Sequence, residues 1–185
     1  MELTYHSLDS APEASKPLLQ ASLTRMTFIP NLHAVMAESP QLLQAYQTLS
    51  GLYAKTSLSV LERQIVLLAI NYENDCHYCM AAHSAIATLE KMPPEILEAL
   101  RKGKPLADPK LQALRAFAVK VTVSRGWPEK SDTQTLLAAG YGKQVMLEVI
   151  LAVGFKVLSN YVNHLAETVP DESFKPFAWS KDAAA

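Results

Sequence analysis

Cysteine is almost absent from this chain of 185 residues: it has two, Cys76 and Cys79. A bridge between residues so close closes only a tiny loop and cannot staple distant parts of a fold, which excludes a disulfide scaffold. In a reducing compartment such a pair is instead a reactive dithiol or half of a metal site. An excess of charge of either sign is also lacking, since 17 basic and 18 acidic residues leave a net charge of −1. That balance argues against a broad electrostatic surface for nucleic acid or anionic lipid and leaves small molecules or other protein as partners. No apolar run approaches the roughly 20 residues of a membrane span, and residues 1–20 lack a basic start followed by an apolar stretch. The sequence therefore reads as soluble, unexported and cytoplasmic. Strong two-residue alternation between hairpin turns is missing as well, and there is no internal repeat.

What remains is a chain whose apolar residues recur at helical spacing almost throughout, which predicts an all-α fold. Its length suits a single domain over 1–185, with weakly periodic arms at about 1–12 and about 170–185. Ser39-Pro40 starts a helix that Gly51 stops, and a second runs from Ser57 or Ser59 to about Tyr72. A third is expected from Asp75 to Glu90, capped by Asn74 or Asp75. After the Met92-Pro93-Pro94 break come a short helix ending at Gly103, one started by Asp108-Pro109, and one capped by Ser131 or Asp132. Gly140-Tyr141-Gly142 then turns into a long helix through Val162, apolar on more than one face. Such a helix is either central in its own domain or shared with a neighbouring chain.

The third helix carries the chemistry, in the stretch Cys76-His77-Tyr78-Cys79-Met80-Ala81-Ala82-His83. Cys79 and His83, four apart, share a helix face. A thiol reduces a peroxide only as thiolate, and three features favour one: the helix N-terminus, the neighbouring thiol and His83 as proton acceptor. The spacing assigns attack to Cys79, which becomes a sulfenic acid, and resolution to Cys76, which closes a disulfide. Cys76, Cys79 and His83, with Glu73 or His77, also form a zinc-type ligand set, although structural zinc usually draws on two separated pieces of chain. His77 lies on another face, and His6 and His33 have no evident partners. Asn160, Asn163 and His164 form a polar group read as an inter-helix or subunit contact.

From about residue 25 to 168 the chain resembles the alkylhydroperoxidase D-like proteins of the carboxymuconolactone decarboxylase family, in particular the peroxidase-related subgroup. The resemblance rests on Pro30-Asn31-Leu32 before Ser39-Pro40, on Leu61-Glu62-Arg63-Gln64-Ile65-Val66 before the cysteine motif, and on Ala139-Gly140 before the long helix with its asparagines. It implies an AhpD-like helical bundle around the Cys-x-x-Cys helix, assembled as a trimer or hexamer. It also implies hydroperoxide reduction with Cys79 peroxidatic, Cys76 resolving and His83 in a proton relay, a thiol or dithiol reductant, and no metal or other cofactor. The family's better-studied peroxidases have a glutamate twelve residues before the first cysteine; here it is Gln64, which cannot carry a proton, so the relay is missing or falls to Glu62 or Glu73. Tyr78 stands where those enzymes can have histidine. Lactone decarboxylation, performed without this cysteine pair, is disfavoured, and no basic pocket for a carboxylate is evident unless Arg63, Arg101 and Arg115 converge. The alternative is a non-catalytic helical oligomeric module whose motif senses oxidation or binds zinc.

Overall fold

The structure is a computed structural model that describes residues 3–184; Met1, Glu2 and Ala185, the outer ends of the two expected arms, lie outside the described residues. The chain is all-α, with no strand among the described residues. Helix follows helix: α1 (Lys16–Met26), α2 (Asn31–Met36), α3 (Pro40–Tyr53), α4 (Val60–Glu73), α5 (His77–Leu89), α6 (Pro94–Arg101), α7 (Pro109–Val123), α8 (Lys130–Ala138), α9 (Lys143–Ala166) and a last turn, α10 (Lys181–Ala184).

Local chemistry explains four of these starts. Ser39 caps α3 by accepting from Leu42 N, and Pro40 follows it. Ser59 and Glu62 exchange hydrogen bonds in a capping box on α4, and Asp108 caps α7 by accepting from Leu111 N at 2.9 Å. The cap of α8 is Glu129, paired with Asp132, so that helix begins slightly earlier than Ser131 suggests. Gly51 does not stop α3, which continues to Tyr53. Gly103 does have a structural duty after α6: its φ is +64°, and a Cβ there would come within 2.3 Å of the Tyr72 ring. No side-chain cap hydrogen bond marks the start of α1 or α2, although α1 has Ser15 at its N-cap and Pro17 in its first turn.

Long α9 runs through the middle of the bundle and packs against α2, α3, α4, α5 and α7. By length and composition alone it is apolar enough to cross a membrane, which corrects the expectation that no apolar stretch reaches that size. Its burial against five helices, and the buried Glu148, Lys156, Asn160 and Asn163 along it, mark a core helix instead. Phe155 stacks on Tyr46 (4.9 Å) and lies 6.2 Å from Tyr53, so α9 is keyed into α3 by aromatic contact. A second core forms around Ile65, Leu68, Met80, Leu100 and Trp179. Full burial of side chains such as Ile65 or Leu68 contributes roughly 1.5–3 kcal/mol each.

The described parts of both arms lie on the chain's own core. His6 N donates to Ala34 O, and Val169 N donates to the Tyr5 hydroxyl. At the other end, the Arg101 guanidinium donates to Phe177 O and Ala178 O, while Trp179 Nε1 donates to Arg101 O over 2.7 Å. Asp171 accepts from the Tyr78 hydroxyl (2.6 Å) and from Asn31 N (3.0 Å), which ties the carboxyl-terminal segment over the start of α5.

Candidate active site

The turn between α4 and α5 puts the first sulfur in place. Asn74 closes α4, Asp75 takes the left-handed conformation at φ +52°, and Cys76 N donates to Asn71 O over 3.0 Å. Cys76 is therefore the N-cap of α5 and not a first-turn residue, because the expected capping pair is consumed in ending α4. Three asparagines hold this turn: Asn74 Nδ2 donates to Asn160 Oδ1 (2.8 Å), Asn160 Nδ2 to Asn71 Oδ1 (3.1 Å), and Asn71 Nδ2 to Cys79 O (3.2 Å). Cys79 follows in the first turn of α5, where the unpaired N–H groups favour an anion.

Both cysteines are free thiols and both are buried, with 0% and 2% of their surfaces exposed. They are electrostatically unlike. Burial raises the Cys79 thiol, but a hydrogen bond from Cys76, the Lys156 ammonium, and donations from Ser159 and Asn160 outweigh it and hold Cys79 well below the ordinary thiol value. The same shared hydrogen bond, with burial, pushes Cys76 up. Asn163 Nδ2 reaches both sulfurs, at 3.2 Å from Cys79 Sγ and 3.9 Å from Cys76 Sγ. The arrangement thus favours a negative charge on Cys79 and a proton on Cys76.

His83 is buried one turn beyond Cys79, with its ring nitrogens taken up elsewhere. Nδ1 lies 3.0 Å from Gln64 Oε1, and Nε2 lies 3.2 Å from Lys156 Nζ. Burial first and Lys156 second lower its pKa well below the usual imidazole value, so the ring is neutral. Because the amide oxygen accepts from Nδ1–H, Nε2 presents a lone pair to the ammonium. Gln64 thus fixes the tautomer, a task that needs an acceptor and no titration. Neither alternative glutamate reaches the ring: Glu62 bonds Ser59 and Tyr141, and Glu73 acts on Arg115.

Lys156 is the residue that sequence reasoning missed. It is fully buried, with its Nζ over the Phe155 ring at 5.3 Å and no carboxylate in contact among the described residues. A buried cation without a counter-ion costs several kcal/mol, and the Cys79 thiolate supplies one. A signal existed: between Glu148 and Glu167 it is the only Lys, Arg, Asp or Glu in an otherwise apolar helix. Asn163 belongs with it at the sulfurs, beyond the plain inter-helix role expected of it. Arg63, Arg101 and Arg115 do not converge, since each bonds backbone carbonyls in a different place. His77 is half exposed near Asp75 (3.4 Å) and Trp179, while His33 is buried on Ser22 Oγ (2.8 Å). Among the described residues no three His, Cys, Asp or Glu side chains converge as metal ligands.

Two separate cavities meet the dithiol. Cys79, His83 and Lys156 line one of about 120 Å³ walled by Leu32, Tyr46 and Phe155, with Arg25 at its edge. Cys76 instead lines a cleft of about 590 Å³ with His77, Asn163, Thr168 and Val169, and Tyr78 borders both.

Residues 40–120, from the start of α3 into α7 and including both cysteines and His83, match the carboxymuconolactone decarboxylase family. The match takes in 81 of the 185 residues, a little under half of the chain. The family match ends before α9, so Lys156 and Asn163 lie outside it. Over almost the whole length the fold is that of a peroxidase-related protein from Ralstonia eutropha JMP134 with an alkylhydroperoxidase AhpD core (TM-score 0.81, 22% identity, 94% of this chain and 95% of that one). A peroxidase-related protein from Silicibacter sp. TM1040 is similar to nearly the same degree (TM-score 0.78, 22% identity, 94% and 95%). The debrominase Bmp8, solved in complex with 2,3,4-tribromopyrrole, shares the fold as well (TM-score 0.79, 17% identity, 100% and 98%). No curated protein sequence matches the chain.

Proposed function

We propose that the chain is a member of the carboxymuconolactone decarboxylase family and a cytoplasmic thiol peroxidase that reduces small hydroperoxides with its own dithiol. The observation that carries the reading is the buried Lys156 ammonium, without a carboxylate partner among the described residues, lining the same cavity as Cys79. The Cys79 thiolate attacks the terminal peroxide oxygen; the O–O bond breaks, Cys79 becomes a sulfenic acid, and the alkoxide takes a proton from Lys156. His83, held by Gln64, keeps the ammonium in position and shares its proton, which is its part in the relay. Cys76–SH then attacks the sulfenic sulfur, forms the Cys76–Cys79 disulfide and releases water. Two thiols, or one dithiol, return the pair to its starting state, so each cycle converts ROOH and two reducing equivalents into ROH and water. No metal or other cofactor takes part. Exposed Leu147, Tyr161 and Leu165 on α9 favour a homo-oligomer, a trimer or hexamer, over a nucleic acid or membrane partner.

The test is a thiol count on the reduced protein before and after one equivalent of hydroperoxide. Loss of two thiols per chain is expected; peroxide-inert thiols would sink the reading. Cys76→Ser should stop at a sulfenic acid on Cys79 that a trapping reagent labels. The aromatic wall of the Cys79 cavity favours one second substrate, a small halogenated ring such as that of the debrominase complex. Consumption of 2,3,4-tribromopyrrole but not peroxide would move the dithiol's work to a carbon–halogen bond.

A further inference from the structure

The cavity that holds Cys79 has a second, polar end that the peroxide step leaves idle. His33, Tyr46 and Arg25 line it there; the first two are only 4% and 8% exposed, and Arg25 is exposed at the mouth. Among the described residues the Tyr46 hydroxyl and His33 Nε2 have no hydrogen-bond partner, and Arg25 meets no carboxylate. Burial and then the Cys79 charge push the Tyr46 hydroxyl up while the Arg25 charge opposes them, so this hydroxyl feels both ends of the cavity. Burial and then Arg25 lower His33 to about 4, which keeps its ring neutral at pH 7. Ser22, behind the wall, holds His33 Nδ1 at 2.8 Å and itself accepts from Gln47 Nε2 at 2.9 Å. The Ser22 hydroxyl can therefore give its proton to Nδ1, which leaves Nε2 as an N–H donor. Guanidinium, phenol and imidazole N–H are all donors, and Lys156 is already matched by the Cys79 thiolate. Arg25 is thus the uncompensated charge of the cavity, and its complement is a carboxylate, the planar anion that suits a guanidinium. The volume of about 120 Å³ is below the roughly 150 Å³ that holds a benzene ring, so only a short carbon stem fits behind that group.

We propose that the Cys79 cavity selects short hydroperoxides that carry a carboxylate, with Arg25 pairing the carboxylate and Tyr46 and His33 donating beside it. The inference rests on the thiol peroxidase reading and names its substrate class. The chemistry at sulfur is unchanged: the terminal peroxide oxygen goes to Cys79, the O–O bond breaks, and the alkoxide takes its proton from Lys156. The carboxylate takes no part in that step and leaves with the alcohol. Its work is to hold the far end of the molecule, so that binding away from the reacting bond aims the peroxide at the sulfur. The thiolate does not repel such a substrate, because the Lys156 ammonium beside it offsets its charge.

The experiment compares 3-hydroperoxy-3-methylbutanoate, which is tert-butyl hydroperoxide with a carboxylate on one methyl, with its neutral primary amide. The second-order rate of Cys79 oxidation is measured for both on the reduced full chain at low ionic strength. The acid should react about fivefold faster, as expected for pairing with an exposed guanidinium. Arg25→Gln should bring the two rates to within about twofold, and Arg25→Lys should keep at least half of the preference. Equal rates in the wild-type protein, or a preference untouched by Arg25→Gln, would overturn the proposal. A second arm needs neither peroxide nor thiol chemistry: calorimetric binding of the alcohol product, 3-hydroxy-3-methylbutanoate, against its amide. The acid should bind about fivefold more tightly and lose that advantage in Arg25→Gln; equal affinities, or no binding of either, would count against the site. Peroxide-inert thiols together with an Arg25-dependent preference in binding would remove the peroxidase reading and leave this site standing.

Discussion

The inner and outer faces of α9 invert the usual arrangement of a helix in water. Facing the bundle are Lys156, Ser159, Asn160 and Asn163, all 4% exposed or less; facing out are Leu147, Tyr161 and Leu165, each at least 60% exposed. Polar groups inside are expensive unless paired, so the inner set is explained by the two sulfurs that it surrounds. Apolar groups outside are tolerated singly, but a stripe along one helix marks a surface suited to another protein. One element thus separates a polar inner face from an apolar outer one by which way its residues point.

The largest break in that contrast comes from the inner face. Lys156→Met removes the one charge among the groups that hold the Cys79 thiolate and leaves the Cys76 hydrogen bond to oppose burial, so the thiolate fraction at pH 7 falls. Peroxide oxidation of Cys79 should therefore slow by about tenfold or more at pH 7 and recover part of the loss at pH 9. An unchanged rate at pH 7 would show that Lys156 is not the counter-ion.

Acid should weaken the interior before it reaches the exterior. Burial, aided by the Arg25 charge, lowers His33 to about 4, and burial with Lys156 lowers His83 as well. Unfolding returns both to about 6.5, so the unfolded chain binds more protons below that pH. Stability is complete above about pH 6.5 and declines as pH falls, by roughly 3 kcal/mol from His33 alone at pH 4. Urea midpoints between pH 7 and pH 4.5 measure the decline, and a flat profile would contradict it.

On the outer face, Leu147→Glu with Leu165→Glu should shift the sedimentation coefficient from an oligomer to a monomer. Cys79 oxidation should change by less than about twofold, because neither residue reaches the thiols. The smallest effect is expected from Gln64→Glu. A carboxylate accepts from His83 Nδ1 as the amide does, so peroxide turnover should stay within about threefold. A tenfold rise would mean that the relay does need a titrating group at position 64.

Much of the bundle is legible in the sequence because its starts are written locally, in Ser39-Pro40, Ser59 with Glu62, and Asp108-Pro109. The dithiol and His83 are legible for the same reason, since their relation lies within one helix. Lys156 and Asn163 are seventy or more residues from the cysteines, and only the packing of α9 on α5 brings them there. Local spacing carries no trace of that meeting. The placement of Cys76 at the cap escaped because Asn74 and Asp75 fit two roles, ending α4 or starting α5, and the left-handed turn at Asp75 decides for the first. Helices α1 and α2 are harder to read because α1 buries only Leu19 and Ser22 and α2 has six residues, too few to show a period.

The Tyr78–Asp171 hydrogen bond, and the wall of Thr168 and Val169 beside it, set an order of events during synthesis. Ribosomes add about 5–20 residues per second, so Asp171 follows Cys79 by on the order of ten seconds. Throughout that interval the newborn dithiol lacks the segment that later closes over it. Its first encounter with the redox state of its surroundings therefore comes before the protein has a finished cleft through which to select a partner.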